Sequence, residues 1–283
     1  MGNLRIGIPS KGRLAVQSEE LLNLAGFKFR RQDRSLFAKV RDAKIEITFL
    51  RSDDIPVLCD EGAIDLGVTG SDLVEEAGGD VLTRMKLGVG KCRLALCVAE
   101  DSPITSASDL KSLRIATSFP NVTQNYLGEK GVQAHLVKLT GSVEVMISLG
   151  VADAIVDLVE TGSTLVANRL RVIAEIGEHE TVLIQNQKQD EPELADQVVR
   201  RLEGVIIARS YSLLEYNIPR EKLSAAEEIT PGFNSPTVSA LEDDNWCAVR
   251  VMVKRKKIIA AMEALESLGA AAILETKIAN CRL

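Results

Sequence analysis

Histidine is nearly missing from this chain: only His135 and His179 occur among 283 residues. Two histidines so far apart make a zinc site or a Ser-His-Asp triad hard to assemble. The five cysteines, Cys59, Cys92, Cys97, Cys247 and Cys281, include no C-x-x-C pair. Reduced, mostly buried thiols in a cytoplasmic protein are the expectation. A basic excess is missing too: 34 Lys and Arg stand against 40 Asp and Glu, a net charge of -6. That argues against nucleic acid as the partner and leaves room for a local basic pocket that takes a polyphosphate. No apolar run is long enough to cross a membrane. Met1-Gly-Asn-Leu-Arg-Ile6 opens on a strand-like segment without the core of a signal peptide. What remains is ordinary globular material, 46% hydrophobic and 26% charged, with length for two or three domains.

The most informative stretch runs from Gly150 to Asn168. Ala154-Ile155-Val156 and Leu158-Val159 read as one buried strand interrupted by a carboxylate. Thr161-Gly162-Ser163-Thr164 is a tight turn, and Leu165 to Asn168 opens a helix. A small, hydroxyl-rich turn at a helix start offers free backbone N–H groups to a phosphate, and Gly162 permits close approach. Asp153, Asp157 and Glu160 would repel a phosphate; they suit sugar hydroxyls or a divalent cation. Phosphate loop and carboxylates together are equipment for a phosphorylated sugar.

Leu4 to Pro9 predicts a strand, Ser10 to Arg13 a turn, and Leu14, Leu21, Leu22 and Leu24 the stripe of a helix ending near Gly26. Residues 36 to 50 predict a hairpin, with Arg51 at its exit, then a helix from Ile55 to Glu61. Ile64 to Gly70 is a further strand, with Ser71 or Asp72 expected to cap the next helix. The chain then repeats itself. Leu113-Arg114-Ile115 echoes Leu4-Arg5-Ile6, and Gly150-x-x-Asp153 with its strand and Gly162 turn echoes Gly62-x-x-Asp65 with its strand and Gly70 turn. Two copies of strand-helix-strand-turn-helix predict two similar α/β lobes with a ligand between them at the strand carboxyl ends. Val182 to Ile184 is another strand, Gln185 to Pro192 a polar linker, and Leu194 to Ile206 an amphipathic helix. From Tyr211 onward the order is β-α-β-β-α-β, a ferredoxin-like unit without a catalytic constellation. The two-lobed pattern taken alone also fits a periplasmic-type ligand binder without chemistry.

Read together, several motifs are specific. They are Ile8-Pro-Ser-Lys-Gly-Arg13, Phe49-Leu-Arg51, Asp65-Leu-Gly-Val-Thr-Gly-Ser-Asp72, Gly141-Ser-Val-Glu144, Ala152 to Leu165, and Ile229-Thr-Pro-Gly-x-x-Ser-Pro-Thr237. In this order the chain resembles the ATP phosphoribosyltransferase family in its long, self-regulated form, over essentially its whole length. The resemblance implies a two-lobed, periplasmic-binding-protein-like catalytic part: residues 1–90 with 178–210 as one lobe, and 91–177 as the other, carrying the phosphoribosyl pyrophosphate loop. Residues 211–283 would be an ACT-like regulatory domain. It further implies transfer of phosphoribosyl from phosphoribosyl pyrophosphate to N1 of ATP with Mg²⁺, the first step of histidine biosynthesis.

By the same resemblance Glu160, Thr161, Gly162, Ser163, Thr164 and Leu165 hold the 5′-phosphate, and Asp153 and Asp157 flank the ribose. Lys11, Arg13 and Arg51 neutralise polyphosphate, and Asp72 and Glu144 contact nucleotide. The nucleobase-salvage transferases carry two adjacent acids before the Thr-Gly turn; here Val156 precedes Asp157, so only one acid matches. Asp157 is thus a candidate metal ligand, with substrate oxygens supplying most of the rest. Histidine, and AMP as a second inhibitor, would regulate a homo-oligomer that alternates between dimer and hexamer. The expected effector residues are Asn217, Phe233, Ser235, Thr237, Met252 and Ala272, with Asn217 standing where relatives often carry an acid.

Overall fold

The computed structural model describes residues 3–32, 35–188 and 191–282, and divides them into two compact units. The first comprises Met1–Glu20 and Phe27–Asp196. Its elements are β1 (Leu4–Pro9), α1 (Gly12–Leu24), β2 (Phe37–Lys39), β3 (Ile45–Leu50), α2 (Asp54–Asp60), β4 (Leu66–Gly70), α3 (Ser71–Ala77) and β5 (Val81–Lys86). There follow β6 (Cys92–Ala99), β7 (Arg114–Thr117), α4 (Pro120–Glu129), β8 (His135–Lys138), β9 (Ala154–Val159), α5 (Ser163–Ala167), β10 (Leu170–His179) and β11 (Thr181–Asn186). Helices α1 and α6 (Pro192–Ser210) each begin in this unit and run into the second.

Two sheets result, ordered β2-β3-β1-β4-β11-β5 and β10-β6-β9-β7-β8. The repeat expected from the sequence is visible in them. Strand β1 lies parallel between β3 and β4, and β7 lies parallel between β8 and β9. Beside each trio runs an antiparallel strand, β11 against β4 and β6 against β9; β6 opens the second sheet, and β11 returns to the first after the second is complete. The chain therefore crosses twice between lobes, from β5 to β6 and from β10 to β11. The central strands are covered on both faces, which is why Ile6 and Ile8, like Ile155 and Val156, are buried without alternation.

Three local details differ from the sequence reading. Gly70, not Ser71 or Asp72, is the N-cap of α3, and no side chain caps that helix start. Helix α5 begins at Ser163 and has five residues, so Leu165 lies inside it. Strand β11 extends through Gln185 and Asn186, both expected in a linker. Both are buried, and the Asn186 amide donates to the carbonyls of Cys59 and Asp60 at 2.6 and 3.0 Å. Part of that expected linker lies outside the described residues.

The second unit comprises Leu21–Gly26 and Gln197–Leu283. Its sheet has the order β13-β14-β12-β15, from β12 (Tyr211–Pro219), β13 (Thr237–Ala240), β14 (Trp246–Lys254) and β15 (Ala271–Lys277), all neighbours antiparallel. Helices α7 (Leu223–Ile229) and α8 (Ile258–Leu268) cover one face over Leu214, Tyr216, Val249 and Val251. This is the expected ferredoxin-like arrangement. The boundary falls within α6 rather than at Tyr211, because the end of that helix is tied to the C-terminal part. Arg255 donates to the carbonyls of Ala208 and Tyr211, and a Cβ at Gly204 would collide with the Cys281 carbonyl oxygen.

Candidate active site

The loop leaving the carboxyl end of β9 turns at Gly162, whose φ of 80° a side chain would strain. Thr161 and Ser163 hydroxyls lie 3.1 Å apart. Thr161, Ser163 and Thr164 are exposed and Leu165 is buried beneath them, so the hydroxyls and N–H groups face outward. Since α5 is short, its dipole is small; anion-binding capacity resides in these donors. The loop lines a cavity of about 350 Å³ together with Glu144, Asp157, Leu158 and Val159.

Asp157 is half-buried, and burial raises its pKa above the ordinary carboxylate value. The Leu158 N–H, at 2.8 Å, acts the other way, and the nearby Glu144 charge raises the pKa further. Glu144 sits on a short turn after Ser142, which adopts a φ of 52°. Three carboxylates, Glu144, Asp157 and Glu160, thus line one cavity beside a donor-rich loop.

Asp153 does not join them. It precedes β9, at the end of the strand opposite the loop, and its carboxylate grips Arg114 by the backbone N–H at 2.9 Å, Nε at 3.2 Å and Nη2 at 3.0 Å. Arg114 also donates to the Gly150 carbonyl at 2.9 Å. The pairing holds the Asp153 carboxyl below its ordinary pKa. Its expected place beside the ribose is therefore corrected: Asp153 is a fastening of the lobe.

On the first lobe, Lys11 and Arg51 stand exposed at the carboxyl ends of β1 and β3. Arg13, in the first turn of α1, forms an ion pair with Glu160 of the loop, so two residues expected to meet substrate meet each other. Asp72, in the first turn of α3, is buried; burial raises its pKa, opposed by N–H groups of its own helix start and by His179.

A second opening of about 690 Å³ shares Val159 and Glu160 with the first and is otherwise lined by Lys86, Lys91, Cys92, Arg93, Glu178, His179 and Glu180. These residues belong to the two crossings between lobes, outside the repeated segments, and the sequence reading missed them. The Cys92 thiol, pushed up to about 11 by burial, is no nucleophile at neutral pH.

In the second unit, Asn217, Thr237 and Ala272 line one cavity of about 400 Å³, along with Glu215, Arg250 and Leu274. Phe233, Ser235 and Met252 are not among its lining residues: Phe233 stands edge-on to Tyr211 at 5.5 Å, and Met252 lies further along β14. Arg250 and Glu215, register partners joined at 2.7 Å, are the charged pair the sequence reading missed. A Glu and an Arg alternating outward on adjacent strands was the available signal.

A two-lobed α/β scaffold with a donor-rich loop and paired carboxylates at its strand carboxyl ends defines a protein that handles phosphorylated small molecules. Comparisons with known proteins agree. The model of the ATP phosphoribosyltransferase family matches residues 51–204, and that of the HisG C-terminal domain matches residues 208–280. An ATP phosphoribosyltransferase of Rhodopirellula baltica is 62% identical over 99% of this chain and 94% of its own. One from Saccharopolyspora erythraea is 41% identical over 99% and 100%. Among solved structures, the ATP phosphoribosyl transferase (HisG:HisZ) complex of Thermotoga maritima superposes with a TM-score of 0.65 at 31% identity, over 72% of this chain and 98% of the matched one. A substrate-binding protein of an amino-acid ABC transporter shares the fold, with a TM-score of 0.50 at 17% identity over 72% and 93%. The chain belongs to the ATP phosphoribosyltransferase family, in the form that carries the C-terminal domain.

Proposed function

We propose that this chain transfers the 5-phosphoribosyl group from phosphoribosyl pyrophosphate to N1 of ATP, giving phosphoribosyl-ATP and pyrophosphate, the first step of histidine biosynthesis. The observation that carries the assignment of residues is the cavity under the Glu160–Leu165 loop with Asp157 and Glu144 in its wall. In the reaction the bond from the anomeric carbon to pyrophosphate breaks, pyrophosphate leaves with the electron pair, and the adenine N1 lone pair forms the new bond. Positive charge develops on the sugar, so positioned negative groups and exclusion of water do most of the work.

The loop hydroxyls and N–H groups of Thr161 to Thr164 hold the 5′-phosphate. Asp157 faces the ribose and stabilises the developing positive charge. Lys11, Arg13 and Arg51 meet pyrophosphate or triphosphate oxygens, with Arg13 leaving Glu160 to do so. Asp72 contacts the nucleotide on the first lobe. Asp157 and Glu144 share a cavity and repel each other, a donor set that suits Mg²⁺ coordinated by one or two carboxylates and completed by substrate oxygens. Bound there, Mg²⁺ would neutralise charge on the leaving pyrophosphate.

The C-terminal unit takes the pathway's end product, histidine, in the cavity of Asn217, Thr237 and Ala272, and AMP inhibits as well. Regulation acts through exchange between dimer and hexamer in the cytoplasm. Histidine then inhibits by favouring one global state. The five cysteines are free, and no helix among the described residues is long and apolar enough to cross a membrane.

ATP and phosphoribosyl pyrophosphate supplied with Mg²⁺ test the reading. Absorbance of the N1-alkylated adenine should grow with time and pyrophosphate should accumulate in equal amount. Absence of both would leave a ligand binder. Thr237→Val should move the histidine inhibition curve to higher concentration; an unmoved curve would displace the effector site from this cavity.

A further inference from the structure

Helix α4 has no side-chain cap of its own: its N-cap, Phe119, makes no such hydrogen bond, and Pro120 brings no N–H. Its free N–H groups are satisfied from the other lobe. The Glu76 carboxylate of α3 accepts from the Asn121 N–H with both oxygens at 3.0 Å and from the Val122 N–H at 3.0 Å. The Asn121 side-chain amide returns a bond to the Glu76 carbonyl at 2.9 Å. One turn earlier on α3, Leu73 packs against the core of the second lobe, the cluster that holds Leu94, Phe119 and Val122 among others. Positions 73 and 76 share a face of the helix, so α3, rooted in the first sheet, grips the second with an apolar and a charged contact.

What this grip aligns gives it meaning. Asp72, adjacent to Leu73, opens α3 at the carboxyl end of β4. Helix α4 begins past the carboxyl end of β7, the parallel neighbour of β9, whose own carboxyl end carries the phosphate loop. We propose that Glu76 is a positioning residue for phosphoribosyl transfer: by capping α4 across the lobes it sets the separation between the nucleotide at the start of α3 and the sugar under the β9 loop. The proposal rests on the reaction proposed above. A carboxylate on helix N–H groups is charge-assisted and directional, so it defines one docked arrangement rather than a loose association. Misplacement of a reacting group by about 1 Å costs on the order of 10²-fold in rate.

The test compares wild type with Glu76→Gln, Glu76→Asp and Asn121→Ala in the full chain, first confirming that wild type turns over ATP and phosphoribosyl pyrophosphate. Hydrogen exchange of the peptide holding Asn121 and Val122 reads the cap directly and is independent of activity. Glu76→Gln should accelerate that exchange and lower kcat by about 10²-fold. Affinity for ribose 5-phosphate, which lacks the pyrophosphate that the first-lobe cations meet, should stay within about twofold by calorimetry, because its loop lies wholly in the second lobe. Glu76→Asp, with the charge kept, should recover part of kcat, and Asn121→Ala should show the same effects, weaker. Normal kcat alongside accelerated exchange would overturn the proposal. So would unchanged exchange, or an equal loss of kcat and sugar-phosphate affinity with a collapsed melting temperature.

Discussion

At the amino end of each central sheet the two lobes carry the same fastening. In the first, the Asp65 carboxylate accepts the Arg5 backbone N–H at 2.6 Å while Arg5 Nη2 donates to the Gly62 carbonyl at 2.9 Å. In the second, Asp153, Arg114 and Gly150 repeat that pattern. At the carboxyl end the likeness stops. Register from the shared aspartate places Thr69 where the second lobe has Asp157. Thr69 is fully buried and spends its hydroxyl on the Ser52 carbonyl at 3.0 Å; Asp157 faces a cavity. Helix α3 then follows Gly70 at once, whereas Glu160, Thr161 and Gly162 separate β9 from α5. Duplication kept the end that holds the lobe together and let the other end diverge into chemistry.

The sharpest way to break this comparison is to neutralise both members of the divergent pair. Asp157→Asn should lower kcat by about 10²–10³-fold, the range seen when a positioned electrostatic group is removed. It should also raise the melting temperature, because burial disfavours the charged carboxylate that the folded enzyme holds there. Thr69→Val should do the reverse, lowering the melting temperature while leaving kcat close to wild type, since it removes the hydroxyl that the half-buried Ser52 carbonyl accepts from and takes no group from the cavity wall. Thermal melts and initial rates on both variants decide it, and a stable, inactive Thr69→Val would undo the division.

A smaller loss is expected at the loop. Gly162→Val forces a branched side chain into φ of 80°, against a cost of roughly 1–2 kcal/mol, so affinity for phosphoribosyl pyrophosphate should fall at least about tenfold. Gly62 and Gly150, also at positive φ, belong to the fastenings. Valine at either should cost stability and leave that affinity unchanged in calorimetry.

The repeat was legible because both copies use the same residues for the same backbone needs: an apolar strand, a polar turn, a helix and a glycine at its end. The phosphate loop was legible for a similar reason, as few other uses require Thr-Gly-Ser-Thr after a strand. Asp153 was misread because two acids on one strand look equivalent in sequence; only their ends of the strand differ. The signal that separates them was present, since Leu-Arg-Ile and Gly-x-x-Asp recur together, and their joint recurrence marks a fastening. Glu76 and the crossings around Cys92 and His179 were illegible because their partners come from the other lobe. Gln185 and Asn186 read as linker since polar residues in a buried strand are costly until their partners are known, here the Arg84 guanidinium for Gln185 and carbonyls at the end of α2 for Asn186.

The pH profile sharpens the contrast next. If Asp157 works ionised, burial places the acid limb of kcat/KM above the ordinary carboxylate range. Glu144→Gln removes a neighbouring negative charge, eases ionisation, and should move that limb to lower pH. Rates across pH 4 to 8, a range of about four units around the carboxylate values, measure it. A rate that instead falls as pH rises through this range would mean that Asp157 acts protonated.

The smallest effect on turnover belongs to the fastenings themselves. Asp65→Asn and Asp153→Asn should each lower the melting temperature modestly, since both pairs are partly exposed and solvent screens them. Each should leave kcat within about twofold of wild type. For Asp153 the pH dependence has a definite sign. Its folded pKa is depressed by the Arg114 hydrogen bonds, so its stabilisation is present above the ordinary aspartate pKa and fades as pH falls through the depressed value. The melting-temperature gap between wild type and Asp153→Asn should therefore be wide at neutral pH and close under strong acid. A large loss of kcat in Asp153→Asn with an unchanged melting temperature would return that residue to the active site and end the correspondence between the lobes.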